Sequence, residues 1–511
     1  MDTKKRIFRA ITLAVQVLLV VVILSGVILS TFQFANNRSL WTDEISLALN
    51  IINASWSDLL LPLGYHQVAP IGFLYLEKIA LLIFGGDAAG QNDLALRIIP
   101  FLSFLGCIPL IYNLAKKISC SKIIASLSTA IYAINPTAIY YASEVKQYAT
   151  DTLVVLIILN LFLYFNPKSY RSVMLIAIAG ATALWMSNVI IIILFTLSIV
   201  IISENIVDRN KGFRWLVPLT AWASSFLIYY YFFIHDHPSS DFMRDYWQDK
   251  FLPINPFSAG FWSFIKQNVF IEFVNLMKIE SSWLIIGMSS ALGLIYLAAQ
   301  KHYRILSILI FPILIHLVLS SLEMYPFARR LLLFQLPLLI VLTCYAFYSL
   351  LLAFNNRLVK LAMLVFVIPL SSTLWLDLES IPYEVSYMKP LLHNLNNEIS
   401  DREFVRSYCK SRAHSRYYQP YFDRLQNTSI AYIDLQNQSV DEEVNEVASS
   451  GQSGWLIFKH WEKHLKNPES EEMLIAKLRA LNYVITLKHE AHNTRLYKIN
   501  KKKIIQHGVE T

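Results

Sequence analysis

Uncharged apolar stretches long enough to cross a bilayer recur along most of this chain, and they limit the possible folds most strongly. A hydrocarbon core of about 30 Å is crossed by roughly 20 apolar residues in a helix. The first stretch covers residues 10–37 and the last ends near Leu376. Only 16% of all residues are charged, which is low for a soluble domain. The sequence therefore predicts a multi-pass membrane protein. Its first stretch is too long for a cleaved signal, and no small-residue cleavage site follows it.

The basic residues between these stretches predict how the chain is threaded. Lys and Arg are enriched in the cytoplasmic loops of membrane proteins. Short basic clusters occur at residues 4–9, 116–122, 168–171, 209–214, 301–304 and 357–360. The net charge of +8 is therefore attributed to topology, and no nucleic-acid partner is expected. The N-terminus is predicted to be cytoplasmic.

An arrangement of eleven spans places all of these basic clusters in the cytoplasm. Two ambiguous stretches decide the number of spans. Residues 172–203 are uncharged, and two passes turning near Asn188 keep the 209–214 cluster inside. Residues 69–85 carry Glu77 and Lys78 and are predicted to lie flat at the interface as an amphipathic helix. The predicted spans are at about 8–32, 94–115, 122–141, 149–166, 172–187, 188–203, 214–234, 281–300, 305–322, 331–352 and 358–376.

The predicted organisation is a membrane domain at 1–376 and a soluble domain at 377–511. Residues 33–93 form the first outer loop. From Asp377 the composition becomes polar, and short strand-like runs alternate with helical patterns, which indicates an α/β domain on the extracytoplasmic side. The expected strands are at 403–409, 430–434, 455–459 and 483–487, with a helix at 470–481. Four cysteines spread over spans, a turn and the outer domain predict neither a disulfide framework nor a cysteine metal site.

Two adjacent acids follow the first span. Asp43 and Glu44 in LWTDEISLALN would repel each other beside low-dielectric lipid unless a cation or a transferable proton uses them. This pattern is typical of an acid–base site. The alternative is a helix N-terminus, with Thr42 or Asp43 as its cap.

A second charged group lies where the third span ends. Glu144, Lys146 and Tyr148 share this predicted boundary with Asp151, and helical spacing would put Glu144 and Tyr148 on one face. The alternative is a salt bridge between Glu144 and Lys146, with the tyrosines as interfacial anchors.

Paired arginines on the outer side form the third group. Arg329 and Arg330 open the tenth span, against the positive-inside rule. Their planar guanidinium groups suit a lipid phosphate; the alternative is snorkelling to lipid headgroups. Tyr148, and His66 and Gln67 in GYHQVAP, are further substrate-binding candidates. The HDH run at 235–237 is interpreted as loop rather than metal site.

The order of five segments resembles bacterial GT-C glycosyltransferases related to protein O-mannosyltransferases and lipid A aminoarabinose transferases. The resemblance covers about residues 1–350 and is weaker over 377–511. The segments are TDEISLALN, HQVAPIGFLYLEKIALLIFG, NDLALRIIPFLSFLGCIPLIYNLAKKI, AIYYASEVKQYATD and YPFARRLLLFQLPLLIVL.

This resemblance implies a GT-C helical bundle in the plasma membrane that transfers a sugar, with inversion, from a polyprenyl phosphate to an extracytoplasmic acceptor. The family's catalytic acid corresponds to Asp43, with Glu44 beside it. Some relatives have an aspartate at the position that Tyr148 occupies in this chain. Glu144, four residues earlier, is therefore taken as the counterpart of that second acid. Arg329, Arg330 and Lys146 would bind the phosphate. A divalent cation shared by Asp43 and Glu144 is left open, since metal dependence varies in the family.

Two other functions compete with this interpretation. A transporter or lipid flippase would also have many spans, but transporters usually place ionisable residues near mid-bilayer, and here the acids and arginines gather at one face. A glycan-binding sensor would explain the outer domain but not Asp43, Glu144 and Arg329 at one depth.

Overall fold

The computed structural model describes residues 2–87, 90–206, 213–278, 283–353, 378, 380–409, 412–433, 439–459, 469–491 and 494–501. Helices form most of this part of the chain, and five strands follow near its end. The α-helices are α1 (Asp2–Ala35), α2 (Thr42–Asn53), α3 (Ile71–Phe84), α4 (Gln91–Ala95), α5 (Ile98–Ser119), α6 (Lys122–Ala133), α7 (Pro136–Tyr141), α8 (Tyr148–Leu163), α9 (Tyr170–Met186), α10 (Ile190–Ile206), α11 (Leu216–Tyr229), α12 (Ser240–Tyr246), α13 (Ala259–Phe264), α14 (Ile271–Met277), α15 (Trp283–Ala299), α16 (Tyr303–Ser321), α17 (Leu336–Ala353), α18 (Met388–Glu398), α19 (Arg412–Tyr418), α20 (Val440–Ser450) and α21 (Glu469–Ala480).

Several helices are apolar enough and long enough to cross a membrane, so the chain is a multi-pass membrane protein. Within the described residues, five segments meet both criteria, at Ala10–Ala35, Gln91–Ser119, Leu216–Ile234, Tyr303–Ser321 and Arg329–Ala346. Shorter apolar helices correspond to other predicted spans, among them Tyr148–Leu163 and Tyr170–Met186. The predicted span at 358–376 lies outside the described residues.

The predicted span at 122–141 is not one helix, which corrects the sequence-based prediction. α6 ends at Ala133 and α7 begins at Pro136. Proline has no N–H for the helix ladder and disfavours helical backbone in the residue before it. Asn135 instead caps α7, accepting a hydrogen bond from the Ala138 N–H at 3.1 Å.

The two ambiguous stretches of the sequence form the predicted local structures. The apolar run at 172–203 is interrupted at Ser187, which is extended, between α9 and α10. This break coincides with the predicted turn near Asn188. Residues 69–85 contain the single helix α3, whose 14 residues span roughly 21 Å at 1.5 Å per residue. That length is too short to cross the bilayer.

The described chain divides into two compact units. The first contains Met1–Asn36, Asn53–Ala80 and Leu96–Tyr383, and it includes most of the apolar helices. The second contains Asn37–Ile52, Leu81–Ala95 and Glu384–Thr511. The second unit therefore includes α2 and α4 from the first predicted outer loop together with the C-terminal α/β region.

A mixed five-stranded sheet forms the centre of the C-terminal region, which confirms its predicted α/β class. The strands are β1 (Phe404–Cys409), β2 (Ile430–Ile433), β3 (Gly454–Lys459), β4 (Tyr483–Ala491) and β5 (Thr494–Lys501). Their order is β2-β1-β3-β5-β4, with β1 parallel to β2 and β3, and β5 antiparallel to β3 and β4. The sequence prediction omitted β5. Tyr408, Leu456, Leu474 and Ile499 pack in the core of this region.

Lys459, at the end of β3, is a buried cation in this region, with 4% of its surface exposed. Its Nζ contacts the His414 ring and donates to the Ser386 Oγ at 3.4 Å. No carboxylate within the described part of the chain forms an ion pair with Lys459. Burial therefore lowers the pKa of Lys459 from its usual 10.5 to about 7.

Lys459→Met is expected to stabilise the protein most at pH 7 and least near pH 10. In the unfolded chain Lys459 holds its proton up to about pH 10.5, whereas in the folded chain it loses the proton above about pH 7. Wild-type stability therefore rises with pH across this interval, while methionine does not titrate. The stability difference, a few kcal/mol at pH 7, should shrink as the pH rises. Thermal unfolding of the purified chain in detergent measures it, and a pH-independent difference would contradict the assignment.

Candidate active site

Asp43 and Glu44 lie in the first turn of α2, within the second unit. Glu44 is buried, and its carboxylate accepts hydrogen bonds from both terminal nitrogens of Arg38, at 2.7 Å and 3.2 Å. It also accepts from the Trp41 N–H at 3.1 Å. This last contact satisfies a backbone donor at the start of the helix, as the acid of a capping box does. Through these contacts Glu44 stabilises the start of α2.

The surroundings of the two acids differ. Arg38 and Glu44 side chains are both fully buried, so the Arg38 charge offsets the Glu44 charge where water cannot. Asp43, one residue earlier, is only partly buried. Because α2 begins at Thr42, neither Thr42 nor Asp43 precedes the helix as its cap; Trp41 holds that position. Both Asp43 and Glu44 lie at the N-terminus of α2, where the helix dipole favours negative charge.

Glu144 lies in a bend between α7 and α8, which corrects the helical spacing predicted for it. The backbone turns sharply there, with the Lys146 N–H bonded to the Glu144 carbonyl at 2.7 Å, and α8 begins only at Tyr148. Glu144 and Tyr148 therefore do not share a helix face. Tyr148 instead contacts Tyr141, with the two ring centroids 5.3 Å apart. Tyr141 is also within electrostatic range of Glu144 and Arg330, so the first unit brings these predicted site residues together.

Lys146 and Gln67, two predicted substrate-binding residues, are in direct contact. The Lys146 Nζ donates to the Gln67 Oε1 at 2.5 Å, and both side chains are buried. The turn before Gln67 has unusual backbone, since Tyr65 and His66 have φ values of 60° and 52°. Left-handed backbone at residues other than glycine is uncommon and clusters at functional sites. The His66 ring stacks on Phe242, with ring centroids 4.0 Å apart.

A cavity of about 160 Å³ lies beside this turn in the first unit. Gln67 lines it together with His235, Asp236 and His237, which lie in the loop after the π-helical segment Tyr230–Ile234 that continues α11. The sequence interpretation treated the HDH run as a simple loop. The structure places that loop at the same cavity as a predicted substrate-binding residue.

Arg329 and Arg330, predicted to lie on the outer side, have protein partners of different kinds. The Arg329 Nε donates to the Glu272 Oε2 at 3.1 Å, and the Lys250 Nζ lies 3.6 Å from the same carboxylate. Two cations thus share one acid, which leaves an excess of positive charge. The Arg330 guanidinium stacks over the Trp247 ring, 4.8 Å from its centroid. These contacts supply local partners that the sequence interpretation did not consider.

The tenth span begins differently from its prediction. A 3-10 helix at Arg329–Gln335 precedes α17, which starts at Leu336. Pro337 fits the first turn of an α-helix, where a missing N–H costs nothing. Both arginines therefore lie on the 3-10 segment.

The described residues contain no group of three or more His, Cys, Asp or Glu side chains placed to hold a metal ion. A cation shared by Asp43 and Glu144 stays a sequence prediction, as does the position of Asp43, Glu144 and Arg329 at one depth.

Sequence reasoning did not identify the charged and aromatic partners of the predicted site residues, among them Arg38, Trp247 and Glu272, or Lys250, which lies beside Glu272. Arg38 had a recognisable signal, because it is a cation six residues before Glu44 in a segment without other basic residues. Lys250 and Glu272 had none. Glu272 contacts Arg329, and Lys250 contacts Glu272, across parts of the chain that are far apart in sequence.

No protein-family model and no curated protein matches the sequence. The chain is similar to the crystal structure of ArnT from Cupriavidus metallidurans bound to undecaprenyl phosphate, with 12% identity, 94% of this chain and 97% of that chain covered, and a TM-score of 0.47. It is also similar to the oligosaccharyltransferase AglB from Archaeoglobus fulgidus in complex with an inhibitory peptide and a dolichol-phosphate. There the identity is 12%, the coverage is 94% of this chain and 74% of that chain, and the TM-score is 0.44.

A further crystal structure, the Archaeoglobus fulgidus oligosaccharyltransferase in complex with Zn and sulfate, has 12% identity over 85% of this chain and 67% of that chain, with a TM-score of 0.46. These neighbours are GT-C family members, the class that the sequence resembles.

Proposed function

We propose that this protein is an inverting glycosyltransferase that moves a hexose or pentose from a polyprenyl-phosphate donor to an extracytoplasmic acceptor. The acceptor is a hydroxyl of a glycan, a lipid or a protein. The observation that carries the proposal is the pair of acids in the first turn of α2, one engaged by Arg38 and the other only partly buried, following the first apolar helix.

Asp43 is assigned as the general base. Its carboxylate accepts the proton of the acceptor hydroxyl while the acceptor oxygen bonds to the anomeric carbon. The bond from that carbon to the phosphate oxygen breaks, and the electron pair leaves with the polyprenyl phosphate. Attack opposite the leaving group inverts the anomeric centre. Glu44 is bound by Arg38 and Trp41, so we assign it to holding the helix start, and Glu144 is kept as a second acid.

Cationic side chains are assigned to stabilise the leaving phosphate. Negative charge accumulates on the phosphate oxygens as the bond breaks, and fixed cations stabilise that charge most when they need not reorganise. Arg329, held by Glu272, and Arg330, stacked on Trp247, are the main donors in this proposal. Lys146, whose ammonium donates to Gln67, is the third cation assigned to the phosphate.

A panel of polyprenyl-phosphate sugars tests the proposed activity. Purified protein in nanodiscs is incubated with each donor and with membrane extracts as acceptor, and released polyprenyl phosphate is quantified. We expect release with one donor class. No release from any donor, together with movement of intact donor across proteoliposomes, would instead favour the flippase.

The proposed topology predicts that the C-terminal domain is outside the cell. For this test, Ser450→Cys is introduced into a Cys409→Ser variant. The new thiol should react with an impermeant maleimide in intact cells, since Ser450 is exposed at the end of α20. The native exposed Cys120, in a predicted cytoplasmic turn, is the control and should react only after permeabilisation. Protection of residue 450 in intact cells would contradict the eleven-span topology.

A further inference from the structure

Asp93, in the short helix α4, is a buried carboxylate surrounded by donors from the C-terminal region. Only 1% of its surface is exposed. The Tyr417 hydroxyl donates to its Oδ1 at 2.9 Å, and the Tyr418 hydroxyl donates to its Oδ2 at 2.8 Å. The Lys389 Nζ lies 2.9 Å from the same Oδ2. A buried carboxylate is tolerated when it is paired and hydrogen-bonded in this way.

The same donors also hold the segment that leads to Asp43. The Tyr418 hydroxyl accepts a hydrogen bond from the Leu40 N–H at 2.7 Å. The Lys389 backbone N–H donates to the Ser39 Oγ at 3.0 Å, and its Nζ donates to the Asn37 carbonyl at 2.7 Å. Three of the four residues from 37 to 40 are therefore bonded to groups beyond residue 384, all within the second unit.

Gly90 makes this arrangement possible on the loop side. Its φ is +83°, and a Cβ there would lie 2.8 Å from the Lys389 Nζ and 3.0 Å from the Asn37 Nδ2. The Gly90 carbonyl accepts from that Asn37 nitrogen at 2.9 Å. A side chain at position 90 would thus displace the groups that hold residue 37.

These contacts fix the chain on both sides of Asp43. Residues 37, 39 and 40 are tied to Lys389 and Tyr418, and Glu44 is tied to Arg38 by two hydrogen bonds. Asp43 lies between these two anchors. A displacement of about 1 Å in a reacting group can cost a hundredfold in rate, so anchors of this kind matter for a base.

We infer that Asp93, Tyr418 and Lys389 position the Asp43 carboxylate, so that the C-terminal domain is an integral part of the active site. The inference rests on the proposed function of Asp43. These three are positioning residues, since none of them is assigned to touch the substrates.

Tyr418→Phe tests the inference, with Tyr417→Phe as its matched control. Both substitutions remove a buried hydroxyl that donates to Asp93, but only Tyr418 also accepts from the Leu40 N–H. We expect kcat to fall about tenfold to a hundredfold in Tyr418→Phe, with the donor KM within about twofold, and to fall no more than about threefold in Tyr417→Phe. Thermal midpoints of the two variants should drop by similar amounts. Amide hydrogen exchange in the segment 38–44 should accelerate in Tyr418→Phe only.

The outcomes separate this inference from the proposed function. Full kcat in Tyr418→Phe, beside an active wild type and an inactive Asp43→Asn, would overturn the positioning role and leave the glycosyltransferase intact. Equal losses in the two tyrosine variants that follow their thermal stability would also overturn it, because a purely structural role predicts that result. An inactive wild type would refute the proposed function itself, and the inference with it.

Discussion

Asp43→Asn is expected to lower sugar transfer by about a hundredfold to ten-thousandfold, the usual contribution of a general base. The amide preserves the shape of the side chain and its place in the first turn of α2, but it does not take a proton. Insertion and donor binding should therefore stay close to the wild-type values, so that the loss is in kcat. Release of polyprenyl phosphate and donor affinity, measured on the same preparation in nanodiscs, check the prediction.

Asp58→Asn is the matched control for this substitution. Asp58 is an exposed acid of the same predicted outer loop, and its carboxylate accepts hydrogen bonds from Ser55. It has no assigned catalytic role. It should keep wild-type turnover. Full turnover by folded Asp43→Asn would exclude Asp43 as the base and move the assignment to Glu44 or Glu144.

The double variant Arg329→Ala/Arg330→Ala is expected to lower kcat/KM by about a hundredfold or more. Hydrogen bonds to charged groups contribute about 1.5–3 kcal/mol each, and 1.4 kcal/mol corresponds to a factor of ten. The phosphate carries negative charge in the bound donor and in the transition state, so both donor affinity and turnover should fall. The loss of Arg329 leaves Glu272 to Lys250 alone, which reduces the local positive charge further.

Arg244→Ala controls for a general loss of surface charge. Arg244 is exposed and lies 3.7 Å from Glu323, an arrangement that contributes little energy. It should leave donor affinity unchanged. If the double variant binds the donor as tightly as the wild type, the arginines serve only their contacts with Glu272 and Trp247, and the phosphate site lies elsewhere.

Much of the local structure was predictable, because hydrophobic pattern and backbone chemistry act over a few residues. The uncharged runs predicted most helices of the membrane region, and the short apolar runs of the C-terminal region predicted four of the strands, β1 to β4. The fifth strand, β5, mixes charged and apolar residues in TRLYKINK without regular alternation, a weaker pattern than a continuous apolar run. Pro136 did carry a signal for the break in the third span, and the prediction overlooked it.

The site residues were less predictable, because their contacts are long-range. Asp43 was recognised from its neighbours and from a family resemblance, and its role stays a proposal. The contact of Asp93 with Tyr418 joins residues 325 positions apart, and neither residue has a local pattern that separates it from an ordinary loop acid or core tyrosine. Glu144 was misplaced on a helix face because a sharp backbone bend follows α7, which residue spacing alone does not reveal.

The stoichiometry and stereochemistry of a single reaction test the central proposal most directly. Purified wild-type protein is given its preferred labelled donor, and released polyprenyl phosphate, glycosylated product and the anomeric configuration of that product are determined together. The proposed mechanism predicts one polyprenyl phosphate per sugar transferred, with the anomeric centre inverted. Retention of configuration would contradict direct attack assisted by Asp43, and intact donor with no released lipid phosphate would contradict the transferase assignment.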